Sequence, residues 1–217
     1  MTQISINEAL EKARTEKKES LDFTRTFLKC TEAEFTELMR LKCERIFNQR
    51  GEKTRPFEVD KDNQEFIHQL YLYAIGSEQF SGDIRKGLFV WGGYGAGKTA
   101  LLFALSEIIT EMTVKNVSKF AAKVLAERMN EEGVENMAKR PLFIDDLGRE
   151  PELFNNFGTK KRVMVDLLAR RYDTGAWTFV TAQYPIPKFN DKYGMLIVDR
   201  MRAMFNEIEL PGQSRRK

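Results

Sequence analysis

A chain of 217 residues, 42% hydrophobic and 31% charged, has room for one sizeable core and a smaller appendage. Its formal net charge of +3 is too small to mark a nucleic-acid binder by itself, and no apolar run approaches the roughly 20 residues of a membrane span. The opening residues Met1-Thr2-Gln3-Ile4-Ser5-Ile6-Asn7-Glu8 lack the basic start and apolar centre of a signal peptide, so a cytoplasmic location is expected.

Residues from about 5 to 55 read as helices without a strand signal. Ile6, Ala9, Leu10 and Ala13 make a weak amphipathic stretch. Thr31-Glu32-Ala33-Glu34 is a capping box ahead of a helical period of Phe35, Leu38, Met39, Leu41 and Ile46, with Gly51 as a stop. Charges here nearly balance, which excludes a basic arm and leaves either a module for a protein partner or a helical wrap on the main domain. Cys30 and Cys43 have neither metal nor disulfide spacing and read as reduced thiols packed in a helix. Thr54-Arg55-Pro56 marks a boundary, giving a helical segment over 1–55 and a main domain over 56–217. Beyond it, Asp60 to Ile75 reads as a helix carrying Phe66, Ile67, Leu70, Tyr71 and Ala74 on one face; His68 in it has no carboxylate or cysteine partner in view and reads as a surface or core-edge residue.

Gly87-Leu88-Phe89-Val90-Trp91 is a short apolar run that leads into Gly92-Gly93-Tyr94-Gly95-Ala96-Gly97-Lys98-Thr99-Ala100. Gly92, Gly97, Lys98 and Thr99 fill the G-x-x-x-x-G-K-[ST] pattern of a phosphate-binding loop, or Walker A motif. Glycines let backbone N–H groups converge on phosphate oxygens, and the helix N-terminus behind them adds a positive dipole end. In such a loop Lys98 reaches the β- and γ-phosphates, and the Thr99 hydroxyl holds Mg²⁺.

Strands and helices then alternate: a helix to about Glu111, a strand near Met112 to Val114, a helix over Lys119 to Asn130, and the strand Leu142 to Asp146. A helix over Thr159 to Tyr172, a strand Trp177 to Ala182, a helix from Asp191 to Phe205 and a strand Glu207 to Leu210 complete the pattern. Such alternation predicts an α/β domain with a doubly wound parallel sheet, whose ligands sit beyond the carboxyl ends of the strands. Leu142-Phe143-Ile144-Asp145-Asp146, about forty-five residues past the loop, is the expected Walker B strand. Asp145 is placed to hold Mg²⁺ through water or alongside Thr99, and Asp146 to polarise an attacking water. Gln183 ends the next strand, where its amide can lie between water and γ-phosphate. No Asn-Lys-x-Asp run for guanine is present, so ATP is favoured. The basic clusters Lys139-Arg140, Lys160-Lys161-Arg162, Arg170-Arg171 and Arg215-Arg216-Lys217 read chiefly as solvated faces and leave a polyanion partner open.

Phe143-Ile144-Asp145-Asp146-Leu147-Gly148, Thr181-Ala182-Gln183-Tyr184-Pro185, Tyr193-Gly194, Asp199-Arg200-Met201-Arg202 and Gly212-Gln213-Ser214-Arg215-Arg216 occur in this order. Together they resemble the DnaC helicase loaders and the similar IstB transposition helper ATPases, a branch of the AAA+ superfamily, over residues 58–217. The resemblance implies a P-loop NTPase fold of AAA+ type with five parallel strands ordered 5-1-4-3-2, a helical N-terminal segment and no C-terminal lid. It implies ATP hydrolysis at subunit interfaces with Mg²⁺, Arg200 acting as an arginine finger on a neighbour's ATP, with Arg202 the alternative that spacing leaves open, and Arg216, or Arg215 one place away, as a sensor-2 residue. Partners follow from the same resemblance: a replicative helicase gripped by residues 1–55, single-stranded DNA, and self-association. Two alternatives stand beside it. One is an IstB-like helper that binds duplex DNA and directs a transposase; the other is an ATP-binding scaffold with little hydrolysis, suggested by Gln183 where the family usually has Asn.

Overall fold

In a computed structural model, residues 6–8, 10–12, 14, 26–49, 51, 56–156 and 159–215 are described. Among them, the helical residues of the 6–14 stretch leave Ile6 and Leu10 exposed, while Ala9 and Ala13 lie outside the described set. The chain then runs through α1 (Glu32–Gln49), α2 (Gln64–Ile75), β1 (Gly87–Trp91), α3 (Lys98–Met112), β2 (Ser118–Ala121), α4 (Ala122–Glu132) and β3 (Leu142–Leu147). It continues through β4 (Phe154–Asn156), β5 (Thr159–Lys161), α5 (Val163–Thr174), β6 (Thr178–Ala182), α6 (Asn190–Tyr193), α7 (Met195–Met204) and β7 (Phe205–Glu209).

Five strands form one sheet in the order β2-β3-β6-β1-β7, every neighbour parallel. Counting only these strands, the order is 2-3-4-1-5, the predicted 5-1-4-3-2 read from the other edge. Parallel strands need both faces covered, and the side-chain alternation divides the core accordingly. Leu88, Val90, Phe143 and Phe179 join α1, α2 and α3 on one face. Phe89, Leu142, Ile144 and Val180 join α4, α5 and α7 on the other.

Of the stripe read in the N-terminal segment, Phe35 and Met39 lie in the first of these cores, Leu38 packs against it and Ile46 is buried, whereas Leu41 is 47% exposed. Phe35, Met39, Cys43 and Phe47 of α1 are buried with Leu101, Leu105 and Ile108 of α3. Thr31 and Glu34 make the capping box reciprocally, with the Thr31 N–H donating to Glu34 at 2.8 Å and the Glu34 N–H donating to Thr31 Oγ1 at 3.3 Å. Ion pairs of Arg45 with Glu107 and Lys42 with Glu111 join α1 to α3 across the rim, where solvent leaves them little net weight.

Several sequence expectations are corrected. Met112 to Val114 is no strand: Met112 ends α3, and Val114 is 93% exposed. The edge strand lies at Ser118–Ala121, with Phe120 its one large apolar residue, too few for a sequence signal; the helix predicted from Lys119 therefore starts at Ala122. Asp60 to Asn63 is a turn rather than the start of α2, because the side chains of Asp60 and Asn63 accept from the Asp62 and Asp60 N–H groups. The Thr159–Lys161 stretch pairs antiparallel with Phe154–Asn156, so α5 begins only at Val163. Gly194, at φ 85, splits the predicted Asp191–Phe205 helix into α6 and α7, and β7 starts at Phe205 rather than Glu207.

Single residues are corrected too. Cys30 precedes α1 and is half-buried, whereas Cys43 is buried within it, its thiol pushed up to about 12 by burial. His68 does have a carboxylate partner, Glu32 at 2.7 Å across α1 and α2. Arg171 is no solvated residue: it is fully buried and donates to the carbonyls of Met137, Arg140 and Trp177 and to the Thr178 hydroxyl. It staples the C-terminus of α5 to the loops that feed β3 and β6.

Candidate functional site

β1 runs into a turn that no other residue type could build. Gly92, Gly95 and Gly97 have φ of 148, 76 and 109. A Cβ on Gly92 would lie 2.4 Å from the Leu210 carbonyl, and one on Gly95 would lie 2.3 Å from Ser214 Oγ. Gly97 then opens α3, so the first N–H groups of a 15-residue helix face the loop. Residues 92–100 thus form a loop and first helical turn with the shape of a phosphate cradle. Lys98 folds back over the loop, donating to the Gly92 and Gly93 carbonyls at 2.9 and 2.8 Å.

β3 arrives beside the loop and changes register there. Ile144 pairs with Val180 but Leu147 with Ala182, so Asp145 and Asp146 together oppose Thr181. This bulge puts Asp146 at φ 55, the one non-glycine positive φ among the described residues. Aspartate tolerates that region better than most side chains, at a cost of about 1 kcal/mol. The bulge separates the two carboxylates. Asp145 Oδ1 accepts from Thr99 Oγ1 at 2.8 Å and from Thr181 Oγ1 at 2.6 Å. Asp146 turns outward, its N–H donating to Thr181 Oγ1 at 2.9 Å. A single buried hydroxyl therefore holds both halves of the bulge.

Gln183 follows the end of β6. With its amide oxygen set toward Arg149, it accepts from the guanidinium (Nε at 3.1 Å) and donates to the Tyr94 hydroxyl. Arg149 also lies over the Tyr94 ring at 5.4 Å and reaches Asp146 Oδ2 at 3.8 Å. Just past it, Glu150 is buried and accepts from the Gly148 N–H at 2.9 Å and the Tyr193 hydroxyl at 2.6 Å, with Lys192 at 3.1 Å. Burial and the facing Glu150 push the Tyr193 hydroxyl well up. This knot ties the exit of β3 to α6.

The segment after β7 crosses the loop. The Arg215 N–H donates to the Gly95 carbonyl at 3.1 Å, and its guanidinium makes a bidentate pair with Asp60 at 2.6 and 2.9 Å. The Arg215 pair holds the Asp60 carboxyl down at about 2. Arg216 lies outside the described residues.

The structure therefore brings Gly92 to Ala100, Asp145, Asp146 and Gln183 to one end of the sheet. It does not bring Arg200 there. Arg200, on α7, lies 5.1 Å over the Tyr172 ring and 3.8 Å from Asp173, at the end of α5 that leads into the start of β6. Thr181, Arg149 and Asp60 escaped the sequence reading. A threonine one residue inside a strand end reads as β-propensity, and Arg149 and Asp60 read as ordinary loop charges.

Chemically, the site offers converging backbone donors, one cation at the loop, and a hydroxyl–carboxylate pair of hard oxygen donors. Such a set suits a polyphosphate with a small divalent cation. Among the described residues, no helix is long and apolar enough to cross a membrane.

No protein-family model and no curated protein matches the sequence. Solved structures do match the fold. A DnaC helicase loader aligns with TM-score 0.56 and 20% identity over 71% of this chain and 93% of that one. DnaI aligns with TM-score 0.53 and 22% identity over 91% of this chain and 99% of that one. DnaA bound to AMPPCP and single-stranded DNA aligns with TM-score 0.52 and 21% identity, over 73% of this chain and half of that one. The chain shares its fold, an α/β domain with a five-stranded parallel sheet ordered 2-3-4-1-5, with the DnaC helicase loader, DnaI and DnaA.

Proposed function

We propose that the chain is a Mg²⁺-dependent ATPase of helicase-loader type, which assembles with itself, with a replicative helicase and with single-stranded DNA. The observation that carries the ATPase reading is the Thr99–Asp145–Thr181 cluster at the lip of the phosphate loop. Thr99 and Asp145, a hydroxyl and a carboxylate 2.8 Å apart, are hard oxygen donors that would hold a Mg²⁺ ion. When bound there, Mg²⁺ supplies charge neutralisation at the β- and γ-phosphates. Lys98 gives up the Gly92 and Gly93 carbonyls for phosphate oxygens. Asp146, outside the metal pair and half exposed, orients a water. Gln183 faces the same side through an amide that both donates and accepts.

Arg200 belongs to the reading as the finger for a neighbouring copy. It stands near the start of β6, a strand length away from the tip that leads to Gln183, so it cannot serve its own loop. An isolated copy should then bind ATP and turn it over slowly. The loader role rests on the sequence pieces that resemble that family together with the DnaI-like and DnaC-like fold. In the N-terminal segment, 1–55, the apolar face of α1 packs on α3 as a helical wrap, so the partner contact that the same resemblance assigns to this segment falls to its remaining surface.

The test is ATP turnover by the full chain alone, with single-stranded DNA, with duplex DNA, and with a hexameric replicative helicase. The proposal expects stimulation by single strands and co-purification with the helicase. Stimulation by duplex alone, with no helicase recovered, would replace it with the transposition-helper reading. Binding of ATP without turnover under any of these conditions would leave a scaffold.

A further inference from the structure

We propose that Arg149 is a phosphate-binding residue that acts in cis, closing the site on the side of the terminal phosphate. The inference rests on the ATPase reading above and adds a cation that neither the loop motif nor the sequence resemblance assigns. Three elements hold its guanidinium: Tyr94 from the phosphate loop, Asp146 from the bulge of β3, and Gln183 beyond the end of β6. These are the same three elements that converge on the candidate phosphate site. An arginine stacked on a loop tyrosine and fixed by an amide oxygen is pre-oriented, so little rotamer freedom remains to be lost when it meets an anion.

A plain surface salt bridge to Asp146 does not account for this placement. The Nε to Oδ2 separation is 3.8 Å, at the outer edge of an ion pair, whereas Arg215 and Asp60 form a true fork at 2.6 and 2.9 Å. Arg149 takes its orientation from Gln183 and Tyr94 instead, and its side chain stays 51% exposed beside the loop. Charge points the same way. Lys98 and Arg149 together balance Asp145 and Asp146; without Arg149 the site would carry net negative charge before any polyphosphate arrived. A planar guanidinium matches phosphate oxygens in pairs, and such charge-assisted bonds are about twice as strong as neutral ones. Because Arg149 neighbours Gln183 and Asp146 rather than the inner turn at Gly97, it would discriminate a triphosphate from a diphosphate.

The experiment is calorimetric titration of the full chain and of its R149A and R149K variants with AMPPCP and with ADP, both with Mg²⁺. Arg149→Ala should weaken AMPPCP binding by about tenfold or more, leave ADP within about twofold, and leave the melting temperature unchanged. Arg149→Lys should recover part of the AMPPCP affinity. Equal losses for both nucleotides, an unchanged AMPPCP affinity, or faster ATP turnover in R149A would overturn the assignment while leaving the ATPase reading intact. Failure of the unmutated chain to bind either nucleotide would overturn the ATPase reading and this assignment with it.

Discussion

Thr181→Val removes one hydroxyl and almost no volume, at a position with no solvent exposure. That hydroxyl donates to Asp145 Oδ1 at 2.6 Å and accepts from the Asp146 N–H at 2.9 Å. A hydrogen bond to a carboxylate contributes about 1.5–3 kcal/mol, and leaving an N–H without its partner costs about 1–3 kcal/mol. Valine adds no cavity and regains some apolar burial, so the net loss should be about 3 kcal/mol. In a chain of this size that lowers the melting temperature by roughly 6–12 °C. Denaturant unfolding should show a lower midpoint at unchanged slope. Thr181→Ser is the control: it keeps both hydrogen bonds, loses one methyl, and should cost about 1 kcal/mol. The same change frees the Asp146 bulge, so ATP turnover should fall in T181V more than in T181S. A T181V protein as stable as its parent, or less perturbed than T181S, would refute the claim that this hydroxyl fixes the bulge.

Other outcomes follow from the same geometry. Asp146→Gly relieves the positive φ and should be more stable than Asp146→Ala by about 1 kcal/mol in denaturant titrations, while both abolish turnover. The Asp60–Arg215 pair sets a pH dependence. Asp60 is held at about 2, below the ordinary carboxylate value, so its contribution is complete above about pH 4 and is lost as pH falls toward 2. Solvent screening limits it to about 1 kcal/mol or less, and acid unfolding of D60N should lack that increment. Arg171→Met strips four acceptors of a buried donor and should cost about 3–5 kcal/mol by thermal unfolding, although the residue lies at the opposite end of the sheet from the loop.

What could be read from the sequence depended on how local each signal was. The Gly92–Thr99 motif and the Leu142–Asp146 strand are patterns complete within a few residues; the alternation of strands and helices predicts the parallel α/β class, and the family resemblance the strand order. The β2 strand was misplaced because its one large apolar residue, Phe120, gives no period, while Met112-Thr113-Val114 looks like a strand and is a helix end. Arg171 looked like one of many surface cations. Its burial depends on carbonyls at residues 137, 140 and 177, contacts that no local pattern encodes. The pairing of Arg149 with Tyr94 and Gln183 is likewise non-local, joining positions on three different loops. Asp145 and Asp146 were found as neighbours in sequence, but the bulge that points them apart appears only in the register against β6.

The central claim is that Gly92 to Thr99 is a nucleotide site that needs its lysine. It is tested most directly by titrating Mg²⁺-ATP into the full chain and into Lys98→Ala. The unmutated chain should bind, and K98A should lose affinity by about hundredfold or more, since a charge-assisted contact to phosphate goes with the side chain. Equal affinity in both proteins, or no binding by the unmutated chain, would contradict the account.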